Sequence, residues 1–177
     1  MKKIANIGGG KVHRMATSMA QYGFRKVFNS INQYGIKKGV DELGLDAYIK
    51  HCARVAASTG AITGVGGATS MILGLPIDLF NNLTQQFRVT LAVIYDRRGT
   101  YAISFETFMS VVAVSIGLEA GFIATRSLLE NIAEKLLLRL GESAVGRLVP
   151  VVGSVVGGTA NYLFIRGIGA SMKKLPL

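Results

Sequence analysis

Between Val55 and Tyr95 two different apolar patterns follow one another along the chain. The first, Val55 to Leu75, runs 21 residues without a charge and is crowded with small side chains. Gly60 and Gly64 make a GxxxG step that Ala56 and Ala68 continue at the same spacing. On a helix this spacing lines one face, with no bulk to hold a neighbour away. Glycine costs about 1 kcal/mol against alanine inside a helix, so such a segment predicts an offsetting close contact. The second pattern, from Asp78 to about Tyr95, places Leu79, Leu83, Phe87, Leu91 and Ile94 on one stripe. Asn81, Asn82, Gln85, Gln86 and Arg88 fill the remaining positions, which predicts an amphipathic helix with a polar exterior. Leu75-Pro76-Ile77-Asp78-Leu79 marks the corner between the arms, because proline lacks a donor and restricts the residue before it.

The flanking chain reads as further helices packed on this hairpin. From about Lys11 to Gly35, Val12, Met15, Met19, Tyr22, Val27, Ile31 and Tyr34 are apolar positions interspersed with Arg14, Arg25 and Lys26. This pattern suits an interfacial helix or an ordinary surface helix. Residues 35–44 read as a loop or broken helix, and Asp46 as the cap of the next helix. Ser104 is placed to cap a helix whose stripe runs Phe105, Phe108, Val112, Ser115, Ile116 and Glu119. Leu128, Leu129, Ile132, Leu136, Leu137 and Leu140 oppose Arg126, Glu130, Glu134, Lys135 and Arg139 in a water-facing helix that Gly141 is suited to stop. Pro150 opens a last apolar segment, Val151 to Ile165, where Gly153 and Gly157 form a second small face. The expected fold class is therefore all-α, a compact helical bundle built around a glycine-rich apolar hairpin.

Charge changes the picture at one end. Residues 1–54 carry ten Lys or Arg against Asp41, Glu42 and Asp46, a net +7; the rest carries ten against seven, a net +3. The mean hydropathy of +0.40 is high for a soluble domain, yet no uncharged stretch greatly exceeds the roughly 20 residues that cross a bilayer. A basic end beside an apolar body suits an anionic membrane surface, with Lys11, Arg14, Arg25, Lys26, Lys37 and Lys38 as the contact residues. No zinc spacing, aromatic RNA platform or helix-turn-helix pattern supports nucleic acid as a partner. No secretory signal is expected, since the apolar run after Lys2-Lys3 is short and glycine-rich. Cys52, the one cysteine, excludes an internal disulfide, and with His51 it lacks the further ligands a metal needs, so neither a metal nor a cofactor is expected.

The segments AITGVGGATSMILGLPID (61–78), the Gln-Gln-Phe-Arg run ending at Arg88, and VPVVGSVVGGTANY (149–162) together resemble the EcsC family of bacterial proteins. The shared features are a glycine-rich apolar segment, a Leu-Pro-x-Asp-Leu corner, an arginine in the next helix and a closing Pro-Val-Val-Gly segment. The chain departs from that pattern at the charged run Tyr95-Asp96-Arg97-Arg98-Gly99. The resemblance implies an all-helical, membrane-connected protein, cytoplasmic and peripheral to or partly inserted in the inner membrane. The resemblance covers roughly residues 50–170, and the expected division is a basic leader with an amphipathic helix (1–45) and an EcsC-like helical domain (46–177). It implies no catalytic residue set.

Two groups of side chains carry the functional expectations. Gly60, Gly64, Gly67, Gly153 and Gly157 would contact a helix or an acyl chain bound in the core. Asp78, Arg88, Glu119 and Asn161 would form a polar cluster, since a carboxylate on an apolar stripe needs a partner. A non-catalytic protein that binds lipid or the bilayer surface accounts for both groups and for the basic end. A pore-forming or toxin-like protein uses the same hairpin. A hydrolase using buried Asp78 and Glu119, with Arg88 as an anion clamp, needs convergence within hydrogen-bond reach.

Overall fold

A computed structural model describes residues 13–14, 16–66, 71–72, 75–118, 125–144 and 150–175. Side chains are described outside 59–66, 71–72, 75–76, 78–79, 137–144 and 150–157. A π-helical turn, Met19–Gly23, runs directly into α1 (Phe24–Ser30). There follow α2 (Gln33–Leu43), α3 (Leu45–Gly66), α4 (Ile77–Arg98), α5 (Phe105–Ser115), α6 (Arg126–Ala144) and α7 (Pro150–Met172). A two-residue antiparallel ladder, β1 (Met71–Ile72) with β2 (Leu75–Pro76), sits between α3 and α4 and pairs Met71 with Pro76. The fold is an all-α helical bundle.

The helix boundaries follow local chemistry, with some departures from the pattern reading. Ile31 is extended (φ −83°, ψ 123°) and ends α1 before Gly35, and the Asn32 side chain accepts the Gly35 N–H at 3.0 Å to start α2. Residues 35–43 are thus helical rather than loop, and the break falls at Gly44, whose φ of 77° suits glycine. Gly39 stays inside α2 because the Tyr48 ring lies against it: a Cβ there would come within 2.6 Å of Cε2. The apolar arm ends at Gly66 rather than at Leu75, and α4 opens directly after Pro76. Ser104 caps α5 by accepting the Thr107 N–H at 3.2 Å, as its position suggests. That helix closes at Ser115, with Gly117 at φ 72°; Glu119, expected on its stripe, lies outside the described residues. Helix α6 continues past Gly141 to Ala144, so that glycine is not a stop.

Helix α4 is the centre of the bundle. Leu83, Phe87, Leu91 and Ile94 are buried as expected, but so are Asn82, Gln85, Gln86, Val89, Thr90, Ala92 and Val93. The expected polar exterior is an interior, because neighbours cover this helix on almost every side. On one side Phe87 meets Phe108 at 4.7 Å between ring centroids and Phe24 at 6.0 Å; Phe28 meets Phe108 at 5.0 Å. Such ring pairs add about 0.5–1.5 kcal/mol beyond burial. Met19, Phe24, Val27 and Phe28 therefore belong to the same core as the rest of the bundle. On the other side α3 and α7 make the most extensive helix pair, and both also pack on α4.

The α3–α7 pair is antiparallel, and three contacts fix its register. Lys173 bonds Asp46, Gly169 lies against Ile49, and Asn161 Nδ2 donates to the Ala56 carbonyl at 3.3 Å. No helix among the described residues is long and apolar enough to cross a membrane.

Candidate functional site

The buried polar side chains of α4 lie on one side of the helix at spacings of three and four: Asn82, Gln85, Gln86 and Thr90. Gln85 Nε2 donates to Asn81 Oδ1 at 3.2 Å, while its Oε1 finds no partner among the described residues. Among the described residues neither amide atom of Gln86 is hydrogen-bonded, although that residue is only 1% exposed, and the Thr90 hydroxyl oxygen finds no partner there either. An unmet buried polar group costs about 1–3 kcal/mol. Asn161, fully buried on α7, spends its Nδ2 on the α3 backbone.

Arg88 leaves α4 toward α3 instead. Its Nε donates to the Tyr48 hydroxyl at 3.2 Å, and its guanidinium carbon stands 5.8 Å from the centre of that ring. Burial pushes the Tyr48 phenol up, and it pushes the Cys52 thiol, one helical turn further along α3, up to about 11. Cys52 is fully buried and His51 exposed, and no group of metal-binding side chains occurs among the described residues.

Of the expected polar cluster, the described contacts of Arg88 and Asn161 fall at different levels of α3. Arg88 answers to Tyr48 and Asn161 to Ala56, eight residues or about 12 Å further along α3. Asp78 is the second residue of α4, with its side chain outside the described set, as is Glu119 altogether. Gly60 and Gly64 lie in α3 and Gly153 and Gly157 in α7, all where side-chain surroundings are not described; Gly67 falls outside the described residues. The described glycines that another helix approaches closely are Gly39 and Gly169. A Cβ on Gly169 would lie 2.9 Å from Ile49 Cγ2.

At the surface, the six expected membrane-contact residues divide. Arg25 is bonded to Glu106 at 2.8 Å and lies 4.3 Å over the Phe105 ring. Lys37 is paired with Asp41, which also accepts the Tyr95 hydroxyl at 2.6 Å, and Lys38 stands 3.7 Å from Glu42. Lys37 and then Tyr95 hold the Asp41 carboxyl below its usual range, and Arg25 does the same for Glu106. Arg14 and Lys26 are exposed and form no ion pair among the described residues; Lys11 lies outside them. Sequence reasoning passed over a second set of such cations: Lys50 and Arg54 on α3, Arg166 on α7 and Lys174 just beyond it. The i, i+4 spacing of Lys50 and Arg54 was a signal for half of it. The other half depends on the packing of α7 against α3.

No protein-family model matches the chain, and neither a curated protein nor a solved structure matches it.

Proposed function

We propose that this chain is a non-catalytic helical protein that docks peripherally on an anionic lipid surface. One observation carries the reading. The outward side of residues 13–30 presents Arg14 and Lys26, which form no ion pair among the described residues, with Tyr22, 72% exposed, between them, while Arg25 and His13 of the same stretch are bonded to Glu106 and Glu134. Cations near an anionic leaflet gain about 1 kcal/mol each, and an amphipathic ring such as tyrosine sits well at the headgroup level. The apolar face of the same stretch is already used inside the bundle through Met19, Phe24 and Phe28. Binding is therefore by the charged surface and does not require that helix to turn its apolar side to lipid. The EcsC-like sequence pattern points to the same class of protein.

Flotation with anionic and with neutral phosphatidylcholine vesicles tests the proposal. Binding is expected to anionic vesicles at low salt and to fall as salt shortens the Debye length to about 10 Å at 0.1 M and below that at higher concentrations. Equal, salt-insensitive recovery with both lipids would remove the electrostatic basis of the reading.

A further inference from the structure

Helices α3 and α7 lie antiparallel, and their common outward side is basic with a small apolar centre. In the register set by Asp46–Lys173, Ile49–Gly169 and Ala56–Asn161, Arg54 falls level with Leu163 and Lys50 with Gly167. Arg166 stands between those two levels. Lys50, Arg54, Arg166 and Lys174 are all exposed and make no ion pair among the described residues. Asp46, the one carboxylate carried by α3 or α7, is bonded to Lys173, which holds it below the usual carboxylate range; Arg166 adds to that effect from further off, and Asp96 of α4 lines the same end of the face together with Arg97. His51, also exposed, is the remaining titratable group on this side of α3.

Along α7, Leu163, Gly167 and Ala170 form a row at spacings of four and three, all exposed. Leu163 is 62% exposed, and nothing lies within 4 Å of where a Cβ on Gly167 would be. Leu163 is thus a large apolar side chain in water, on a face whose exposed charged side chains are mainly cations.

We infer that this α3–α7 face, rather than residues 13–30 alone, is the surface that seats on an anionic phospholipid layer, with Leu163 entering the headgroup region. The inference rests on the membrane-docking reading and assigns its contact surface. The cations on both helices match an extended layer of phosphate groups, and the apolar row between them has use for a lipid interface. No Phe, Tyr or Trp is exposed on this face to stack on nucleic-acid bases.

The chain contains no tryptophan, so a single introduced one reports on its own site. Leu163→Trp is expected to emit at shorter wavelength with phosphatidylglycerol-containing vesicles and to stay unchanged with pure phosphatidylcholine. Tyr22→Trp reports in the same way on the other basic surface. The triple variant Lys50→Glu, Arg54→Glu, Arg166→Glu should bind anionic vesicles at least about a hundredfold more weakly, at roughly fivefold per cation removed before the repulsion of the three added carboxylates. Its circular-dichroism melt should be unchanged, and if it does not fold, the Leu163→Trp emission decides. If wild-type protein floats with anionic vesicles while Leu163→Trp shows no shift and the triple variant binds normally, this face is the wrong one and the docking reading survives. If wild-type protein does not bind vesicles at all, both fall. Retention on RNA without vesicle binding would likewise overturn the lipid assignment.

Discussion

Arg88 and Tyr48 meet across the α3–α4 seam, Nε to hydroxyl at 3.2 Å, and Gly39 of α2 closes over the other side of the Tyr48 ring. Three helices therefore share one side chain. The guanidinium is half-buried, with no carboxylate in ion-pair reach among the described residues, so the phenol oxygen is an acceptor it cannot easily replace. Tyr48→Phe keeps the ring and removes that acceptor. It is expected to lower stability by about 1–3 kcal/mol in a denaturant titration. A change under a few tenths would mean that water satisfies Arg88.

Gln86 gives the opposite expectation. Its amide is 1% exposed and unbonded at both atoms among the described residues, so the folded chain bears a desolvation cost with no visible return. Gln86→Met keeps the length of the side chain and removes the polar atoms. It should raise the melting temperature, with a gain of about 1–3 kcal/mol. A loss of stability instead would show that the amide is bonded in solution to ordered water or a ligand.

The same residue shows where the sequence was readable and where it was not. The stripe Leu83–Phe87–Leu91–Ile94 correctly marked the arm after Pro76 as a helix with an inward face. The neighbouring Asn82, Gln85 and Gln86 looked like a solvated face because polarity ordinarily means exposure. Only the number of helices packed around α4 overrides that rule, and a one-dimensional pattern does not contain that number. Ser104 was legible because capping is local, and so was the last apolar helix after Pro150. Gly35 and Gly39 were misleading: inside α2 the first lies over its Asn32 cap and the second serves the approach of Tyr48 from α3, a contact set by tertiary packing. For the site, charge located a basic surface in residues 1–54. The pairing of Arg25, Lys37 and Lys38 with acids, and the gathering of Lys50, Arg54 and Arg166, needed the fold.

Cys52 provides a pH test. Burial raises its thiol to about 11 from an ordinary value of 9.0. A group whose pKa is raised on folding contributes stability in full below its unfolded value and loses it as pH climbs through the folded one. The loss is therefore expected between about pH 9 and 11. At pH 8 the native thiol should resist iodoacetamide and react once the chain is unfolded in denaturant. Rapid alkylation of native protein at that pH would mean that the α3–α4 seam opens readily.

The antiparallel register of α3 and α7 yields the last prediction. Each described step up α3, from Asp46 to Ile49 to Ala56, is matched by a step down α7, from Lys173 to Gly169 to Asn161. Continued one residue for one along the two helices, the ladder brings Gly60 level with Gly157 and Gly64 level with Gly153. A meeting of the two small faces of the sequence at these levels is the contact that would offset about 1 kcal/mol of helix propensity lost at each glycine. Gly167 is an internal control on α7, because its Cβ position is open. Gly167→Ala should stabilise by up to about 1 kcal/mol, while Gly169→Ala, pressed on Ile49, should destabilise. Gly64→Leu should cost roughly 1–3 kcal/mol through overpacking, and Gly167→Leu much less. Thermal melts of the four variants separate the cases. Equal melting temperatures for Gly64→Leu and Gly167→Leu would mean that the helices diverge beyond Ala56 and that the glycines at 60 and 64 face something other than α7.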